Sequence, residues 1–527
     1  MVDVEEKMLN QLLSYYKFKN HHLLILLFAL IVGYGSINGV RDLNPNEYDD
    51  GEYIHRVIPH DKPYLINLLT TSEVNLWHPL TVFSHDCVRK VFGDKTNAHH
   101  FVNAFLHLLV TILLAKWLAS FGYSTLTCVA LSAIWALHPI TIESTAWISA
   151  RKELLLAVFT LLALVLNQNP KHLVFVYIAV IAAFMSKPTA VVLPYILIID
   201  QWLRSSLTLS SLKTSIRNYG GLILLSFLLI WATLHFQGLG QQNIEDGRSI
   251  FVRLEQSGWA VIQHVKHILW PQGLHTGYLT PTEISFLYAA TLPLLLVGSA
   301  ILVFSSKVDK SLRIALPFAL LFLLPTIGII RAGNDLVADR YAYLPLISIV
   351  LIIPNLFPKN RLHLLPKLLL PLSIVLALLS IEQRKHWRSM ESIFTRTLAV
   401  SPEHSYAMAQ LGTQAVKDNK IEEAYQYLEN AILITPKIPL AHHALGNLAE
   451  SEKNFAQAKY HYEILSESWS NEYWIYTRLA KLCWNLKQYQ EALDYLEKAY
   501  SVARSQSNKD KIIELREKFN FYKKNQN

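Results

Sequence analysis

Hydrophobic residues are unevenly distributed along this chain. Long apolar blocks, punctuated by short polar loops, fill the first three quarters and stop near Glu382. A membrane span needs roughly 20 mostly apolar residues. Against that measure eleven segments qualify as candidate spans, at approximately 21–39, 101–119, 125–141, 152–168, 171–186, 188–203, 219–236, 286–305, 312–330, 341–357 and 366–382. The segment 254–270 is also partly apolar. Glu255, Gln256, His264, Lys266 and His267 interrupt it, and Trp259 and Trp270 suit a membrane interface, so it predicts an interfacial helix.

Beyond Glu382 the pattern becomes periodic. Leu411, Leu445 and Leu479 recur every 34 residues, as do Ala424, Ala458 and Ala492. Gly412 and Gly446 keep the same interval, and so do Pro402 and Pro436. This is the tetratricopeptide pattern, in which small residues let paired helices pack closely and proline ends each pair. Three repeats are predicted from about 405 to 506, capped by a half-repeat at about 388–402 and a closing helix at about 508–524. Tyr425, Tyr427, Tyr460, Tyr462, Trp474 and Trp484 are candidates either for a binding face or for the core of this stack. The predicted fold is all-α: a polytopic membrane domain with about eleven transmembrane helices and a C-terminal tetratricopeptide-repeat α-solenoid.

Charge orients the spans. Lys17 and Lys19, then Arg204, Lys213 and Arg217, then Lys307, Lys310 and Arg313, then Lys359, Arg361 and Lys367 fall in alternate loops. Placing those loops in the cytoplasm satisfies the positive-inside rule. The expected layout is a cytoplasmic N-terminus at 1–20, a membrane domain at 21–386 with an outer loop at 40–100, and an extracytoplasmic repeat domain at 387–527. The whole chain has 527 residues, 52% of them hydrophobic and 17% charged, against about 25% charged in a soluble domain. The net charge of +8 follows from the cytoplasmic loops. No basic stripe with interleaved aromatics points to nucleic acid. Three cysteines suggest neither a disulfide framework nor a metal site. The apolar run from His22 to Ile37 lacks a small-residue cleavage site and reads as an anchor. No Asn-x-Ser/Thr sequon occurs, which favours a prokaryotic source.

Candidate chemistry gathers on the predicted outer side. Asp49 and Asp50 follow the first span, among Tyr48, Tyr53, His55 and His60. A solvated acidic turn would also account for them, because Asn44, Pro45, Asn46 and Gly51 are turn formers. Near the outer helix ends stand His138 and Glu143, Arg151-Lys152-Glu153, Lys187, and Asp339-Arg340-Tyr341. Outer loops are usually poor in basic residues. Arg151, Lys152, Lys187 and Arg340 are therefore candidates to bind a lipid phosphate, which forked arginine donors suit well. Snorkelling to headgroups is the plainer alternative for each. His78, His99, His100 and His107 fit no particular metal spacing and suit helix-end packing better.

These stretches together resemble a known family. Tyr48-Asp49-Asp50, His78-Pro79-Leu80-Thr81, His100-Phe101-Val102-Asn103-Ala104-Phe105-Leu106-His107, His138-Pro139 through Glu143, Ser186-Lys187-Pro188 and Ala338-Asp339-Arg340-Tyr341-Ala342-Tyr343-Leu344-Pro345 occur in this order. Arg253-Leu254-Glu255 through Leu269-Trp270-Pro271 and Trp387-Arg388 complete the set. The chain resembles the transmembrane and tetratricopeptide-repeat (TMTC) proteins and their prokaryotic relatives over nearly its whole length. It departs from the eukaryotic members in having few repeats, and in Arg151-Lys152-Glu153 where a Gly-Arg-Ala-Asp-like stretch is expected.

The resemblance implies a GT-C-type membrane glycosyltransferase similar to protein O-mannosyltransferases. Such an enzyme takes a sugar from a polyprenyl-phosphate carrier and places it on a protein hydroxyl at the extracytoplasmic face. By resemblance, Asp50 and Asp49 are the catalytic acids, and Arg151, with Lys152 and Arg340, meets the carrier phosphate. Glu143 and His138 would orient the acceptor or Arg151. The expected donor is a polyprenyl-phosphate-linked sugar, with no further cofactor and no metal required. The expected partners are that donor, membrane lipids and an acceptor protein held by the repeats. The expected setting is a bacterial inner membrane with the repeats in the periplasm, or the endoplasmic reticulum membrane in a eukaryote. Two alternatives stand beside it: a GT-C enzyme acting on a lipid or glycan, and a non-catalytic membrane-anchored repeat scaffold.

Overall fold

The computed structural model describes residues 50–55, 58, 63–70, 76–205, 207–236, 248–329, 335–503 and 505–526. Asp49 and the first expected span lie outside them. The chain divides between Ser389 and Met390 into two compact units. Every regular helix or strand-length element among the described residues is helical.

Among the described residues of the first unit, four helices are long and apolar enough to cross a membrane: Thr96–Ala119, Leu209–His235, Phe286–Phe304 and Lys359–Lys385. A fifth is added if Thr125–Ala136 and Pro139–Ala146, bent by 61° at their junction, count as one span. Ten of the eleven expected spans fall on described residues, and the smaller number found there has a physical cause. Proline lacks the amide that continues a helix and disfavours helical geometry in the residue before it. Pro139 follows the break after Ala136, Pro188 opens a 3-10 turn, and Leu193–Arg204 begins again with Pro194. The expected 341–357 segment is divided among the end of the 3-10 turn Asp339–Ala342, the Ile347–Ile352 helix and the 3-10 turn Ile353–Leu356. Arg151–Leu166 is one unbroken helix, but it has only 16 residues.

These shorter helices form the interior. Arg151–Leu166 buries Leu154, Ala157, Leu161 and Leu164 completely. It packs against Thr96–Ala119 and Leu173–Ser186. Trp117, Trp135, Phe184, Phe318 and Tyr343 fill the core beside it. The polar core groups are matched to one another. His107 donates from Nε2 to the Ala136 carbonyl at 3.0 Å, so its Nδ1 accepts from the Tyr343 hydroxyl at 2.7 Å. Trp135 donates to the Tyr343 carbonyl at 3.0 Å. The packing role expected for His107 is the one observed.

Ile250–Leu269 forms the helix expected at 254–270, and it is not among the helices suited to span. Its small residue Gly258 lies against the 3-10 turn Phe286–Ala290. A Cβ there would stand 1.9 Å from the Tyr288 carbonyl oxygen, so only glycine permits the approach.

The Arg151–Leu166 helix carries polar clusters at both of its ends, about 24 Å apart at 1.5 Å per residue. Arg151 opens one end. At the other, Asn167 donates to Asp200 at 2.7 Å, and Arg204 grips both Asp200 oxygens at 2.8 and 3.0 Å. Arg204 also donates to Ser120 at 2.9 Å. A buried carboxylate with all these partners is satisfied and pins several helices together.

The second unit follows the 34-residue period. After Met390–Val400 come the helix pairs Ser405–Lys417 with Ile421–Ile434, Pro439–Ser451 with Phe455–Ser468, and Tyr473–Asn485 with Tyr489–Val502. Gln506–Gln526 follows. Gly412 and Gly446 allow the close approach of Leu428 and Tyr462, whose side-chain carbons would lie 2.6 and 3.0 Å from an added Cβ. The turn inside each pair places one residue in the left-handed region: Asn419, Lys453 and Lys487, with φ of 59°, 62° and 63°. Each is followed by an amide that closes the first helix, Lys420 to Ala415, Asn454 to Ala449 and Gln488 to Cys483, at 2.8–2.9 Å. That is the Schellman arrangement. Among the aromatics expected on a face or in the core, Tyr462 is buried and Tyr460 is exposed. Trp484 stacks on Phe519 with ring centres 4.2 Å apart.

Candidate active site

Asp50 is the first residue of a short helix, Asp50–Ile54, and is fully buried. Its Oδ1 accepts a hydrogen bond from the Ser149 amide at 2.9 Å. Ser149 lies in a 3-10 turn, Ile148–Ala150, that leads directly into Arg151. The sequence signal for this contact is the run Trp147-Ile148-Ser149-Ala150-Arg151, which places a turn between two helices. The Ser149 hydroxyl accepts from Lys152 Nζ at 3.3 Å. Lys152 also stands 6.0 Å from the Tyr53 ring centre and 5.8 Å from that of Trp147. Asp50, Arg151 and Lys152, singled out separately in the sequence, thus converge on one turn.

Arg151 is fully buried, and its donors are oriented. Nε donates to Asn103 Oδ1 at 2.8 Å, Nη2 to the His99 carbonyl at 2.9 Å, and Nη1 to Ser84 Oγ at 3.2 Å. Two different helices, Pro79–Phe92 and Thr96–Ala119, therefore fix the guanidinium. Asn103 also donates to the Trp147 carbonyl at 3.2 Å. Sequence reasoning did not single out Ser84, Asn103, Trp147 or Ser149 as site residues. The available signal was Asn103, a strong hydrogen-bonding group within the apolar Thr96–Ala119 helix.

A layer of rings surrounds this turn. The Tyr53 hydroxyl and His78 Nε2 are 2.9 Å apart, and His85 and His99 share a hydrogen bond between their Nδ1 atoms at 3.1 Å. The Tyr53 and His85 ring centres are 4.9 Å apart. Burial, then the positive charge of Arg151, hold His85 well below the ordinary histidine value of 6.5. Neutral imidazoles next to a buried guanidinium avoid placing like charges together. Among the described residues no group of three or more His, Cys, Asp or Glu side chains is arranged to hold a metal.

The remaining cations form a neighbouring cluster. Lys187 pairs with Glu153, and Arg340 pairs with Glu143. Arg340 also reaches Asp335 at 2.8 Å, and its backbone amide donates to Glu143 at 3.0 Å. Glu143 thus orients Arg340, not Arg151. Tyr341 lies between the two cations, its ring centre 5.1 Å from Lys187 and 4.8 Å from Arg340. Trp147 joins the two clusters, because Arg340 stands 5.1 Å from the centre of its ring. The recess beside Lys187, Thr189, Arg340 and Tyr341 holds only about 10 Å³, roughly one water molecule.

Asp339 belongs to the same cluster; the sequence places it among the candidate groups but assigns it no role. It accepts from the Tyr278 hydroxyl at 2.8 Å. Burial, then the negative charge of Glu143, push its carboxyl well above the usual range. His138 stands apart from these groups. Its Nδ1 accepts from the Ile140 amide and its Nε2 donates to the Ile268 carbonyl, at 3.2 and 3.0 Å, so it caps the 3-10 turn at the 61° bend.

The arrangement suits chemistry that removes a proton and stabilises a developing anion. A buried carboxylate and buried cations in low dielectric interact more strongly than in water.

Comparison with known proteins bears on this reading. Residues 440–505 match the tetratricopeptide-repeat family. Over 448 residues the chain is 23% identical to the protein O-mannosyl-transferase F38B6.6 of Caenorhabditis elegans, covering 79% of this chain and 63% of that protein. The chain therefore spans less than two thirds of the length of this curated relative. The crystal structure of yeast Tom70 aligns with 79% of this chain and 96% of its own, at 12% identity and a TM-score of 0.19.

Proposed function

We propose that this chain is a membrane glycosyltransferase that moves a sugar from a polyprenyl-phosphate carrier to a serine or threonine hydroxyl of a protein. The observation that carries the proposal is the Ser149–Arg151 turn, which holds the Asp50 carboxylate and the Arg151 guanidinium in one buried cluster. The similarity to a protein named as an O-mannosyl-transferase, and the repeats shared with the TMTC pattern, support the same reading.

In this mechanism Asp50, with Asp49 beside it in sequence, takes the proton from the acceptor hydroxyl as general base. The oxygen attacks the anomeric carbon, the bond from that carbon to the carrier phosphate breaks, and the carrier phosphate leaves. A single displacement inverts the anomeric centre. Arg151 and Lys152 stabilise the charge that grows on the phosphate. Lys187 and Arg340, each already paired with a carboxylate, supply further positive charge on the far side of Trp147. One or two cations balance a monophosphate leaving group, so the scheme calls for no metal. The repeats bind the acceptor protein. The reaction takes place on the extracytoplasmic side, in a bacterial inner membrane with periplasmic repeats or in an endoplasmic reticulum membrane.

The experiment is sugar transfer by the purified full chain, from labelled polyprenyl-phosphate hexoses to serine- and threonine-containing polypeptides. Transfer with inversion, abolished in Asp50→Asn, is the expected result. Turnover unchanged by Asp49→Asn and Asp50→Asn together overturns the assignment.

A further inference from the structure

At the end of the bundle that carries the Asp200–Arg204 clasp, a groove of about 300 Å³ opens among helices of the first unit. It lies remote from the Arg151 turn, because Asn167 and Arg151 sit at opposite ends of one helix. Its walls come from the last turns of Leu193–Arg204, the end of Thr291–Phe304 and the middle of Lys310–Leu323. Ile199 and Trp202 form one side, Ser299 and Ala300 the second, and Pro317 and Leu321 the third. The hollow has a local cause. Ser299 and Ala300 are small, and they stand where the flanking turns carry Leu296 and Val303 on the same face.

The chain segments adjoining these walls in sequence have the opposite character. Lys213, Lys307 and Lys310 are exposed, and none of them forms an ion pair among the described residues. Lys213 follows Leu212, which lines the groove. Lys307 lies three residues beyond Phe304, which also lines it. Asp309 is engaged by Lys359 at 3.1 Å. Arg204 is engaged by Asp200 and Ser120 and belongs to the clasp. An apolar slot among helices whose adjoining segments carry unpaired lysines matches one chemistry, an acyl chain joined to an anionic headgroup. The slot is also within the size range of small-molecule sites, about 300–1,000 Å³.

We propose that this groove binds one anionic glycerophospholipid of the surrounding bilayer. One acyl chain lies between Trp202, Ala300 and Leu321. The headgroup phosphate meets Lys307, Lys310 and Lys213. The site is separate from the sugar-transfer centre and does not depend on it.

The test is native mass spectrometry of the detergent-solubilised full chain, titrated with dioleoyl phosphatidylglycerol or dioleoyl phosphatidylcholine. The wild-type chain should retain one phosphatidylglycerol at least about tenfold more tightly than phosphatidylcholine. Ala300→Trp, which fills the slot, should weaken phosphatidylglycerol binding about tenfold. Lys213→Gln with Lys307→Gln and Lys310→Gln should bring the two lipids within about twofold of each other. The lysines are exposed, so this triple variant decides the matter if Ala300→Trp does not fold. Equal retention of the two lipids by the wild type, or a preference that survives the triple variant, overturns the proposal.

Discussion

The Asp50 carboxylate accepts the Ser149 amide at 2.9 Å, across 99 residues of sequence and two residues before Arg151. This contact separates two roles that a simple deletion would merge. Asp50→Asn keeps an oxygen acceptor for Ser149 and loses the charge and the proton-accepting capacity. Its fold should persist, and sugar transfer should fall by roughly 10²–10⁴-fold, the usual range for a lost general base. Asp50→Ala loses the amide acceptor as well and should also lower the unfolding temperature. Circular dichroism on both variants, set beside a transfer assay, checks the split. Equal activity in Asp50→Asn and wild type would remove Asp50 from the chemistry.

Lys187 and Glu153 form a largely buried ion pair, with Lys187 13% and Glu153 6% exposed. Breaking such a pair from one side strands the other charge and typically costs about 3–5 kcal/mol. Glu153→Gln alone should therefore destabilise the protein strongly. Glu153→Gln with Lys187→Met should recover a large part of the loss. Thermal unfolding in detergent of Glu153→Gln, Lys187→Met and the double variant measures the coupling.

His85 gives the fold a pH dependence. Its folded-state value lies well below the ordinary 6.5, because it is buried and faces Arg151, His99, His78 and Lys152. Below pH 6.5 the unfolded chain therefore binds a proton that the folded chain refuses. Stability is intact above that value and falls as the pH drops toward the folded-state value, by up to about 1.4 kcal/mol per pH unit for this group. His85→Gln should flatten the decline. Unfolding measured from pH 7.5 down to pH 5 in both proteins supplies the comparison, and identical slopes would dismiss the effect.

The repeat turns invite stabilisation. Lys453 and Lys487 hold left-handed backbone that costs a side-chain-bearing residue about 1–2 kcal/mol, partly offset by the larger unfolded-state entropy of glycine. Lys453→Gly and Lys487→Gly should each stabilise the second unit by about 0.5 kcal/mol. Denaturant unfolding of the full chain, followed by a probe within the repeats, reads the change.

The repeats were legible because their signal is local and recurrent. Gly412 and Gly446 announce close helix contacts, and Ala424, Ala458 and Ala492 recur in phase. The membrane domain was legible in its helical content and less so in its spans. Hydropathy averages over Pro139, Pro188 and Pro354, whereas the backbone breaks at them or beside them. The site was legible in its charges and not in its pairings. Arg151 was visible as a cation out of place, yet its partners Ser84, His99 and Asn103 come from other helices and carry no charge. Glu143 and Arg340 lie 197 residues apart, so no local pattern joins them. Asp339 was visible beside Arg340 but carried no assigned role, because its altered acidity comes from burial and its neighbours and not from its own type.

The left-handed turns at Asn419, Lys453 and Lys487 recur at 34-residue intervals. Each junction between neighbouring helix pairs is therefore interchangeable with the next. A duplication or loss of one whole interval would leave every surviving junction with the same partners. An insertion of any other length would put a turn, and the helix after it, out of phase with its neighbours. The solenoid can thus lengthen or shorten by evolution only in discrete steps, so its reach is a quantised variable that can change without redesign of the packing.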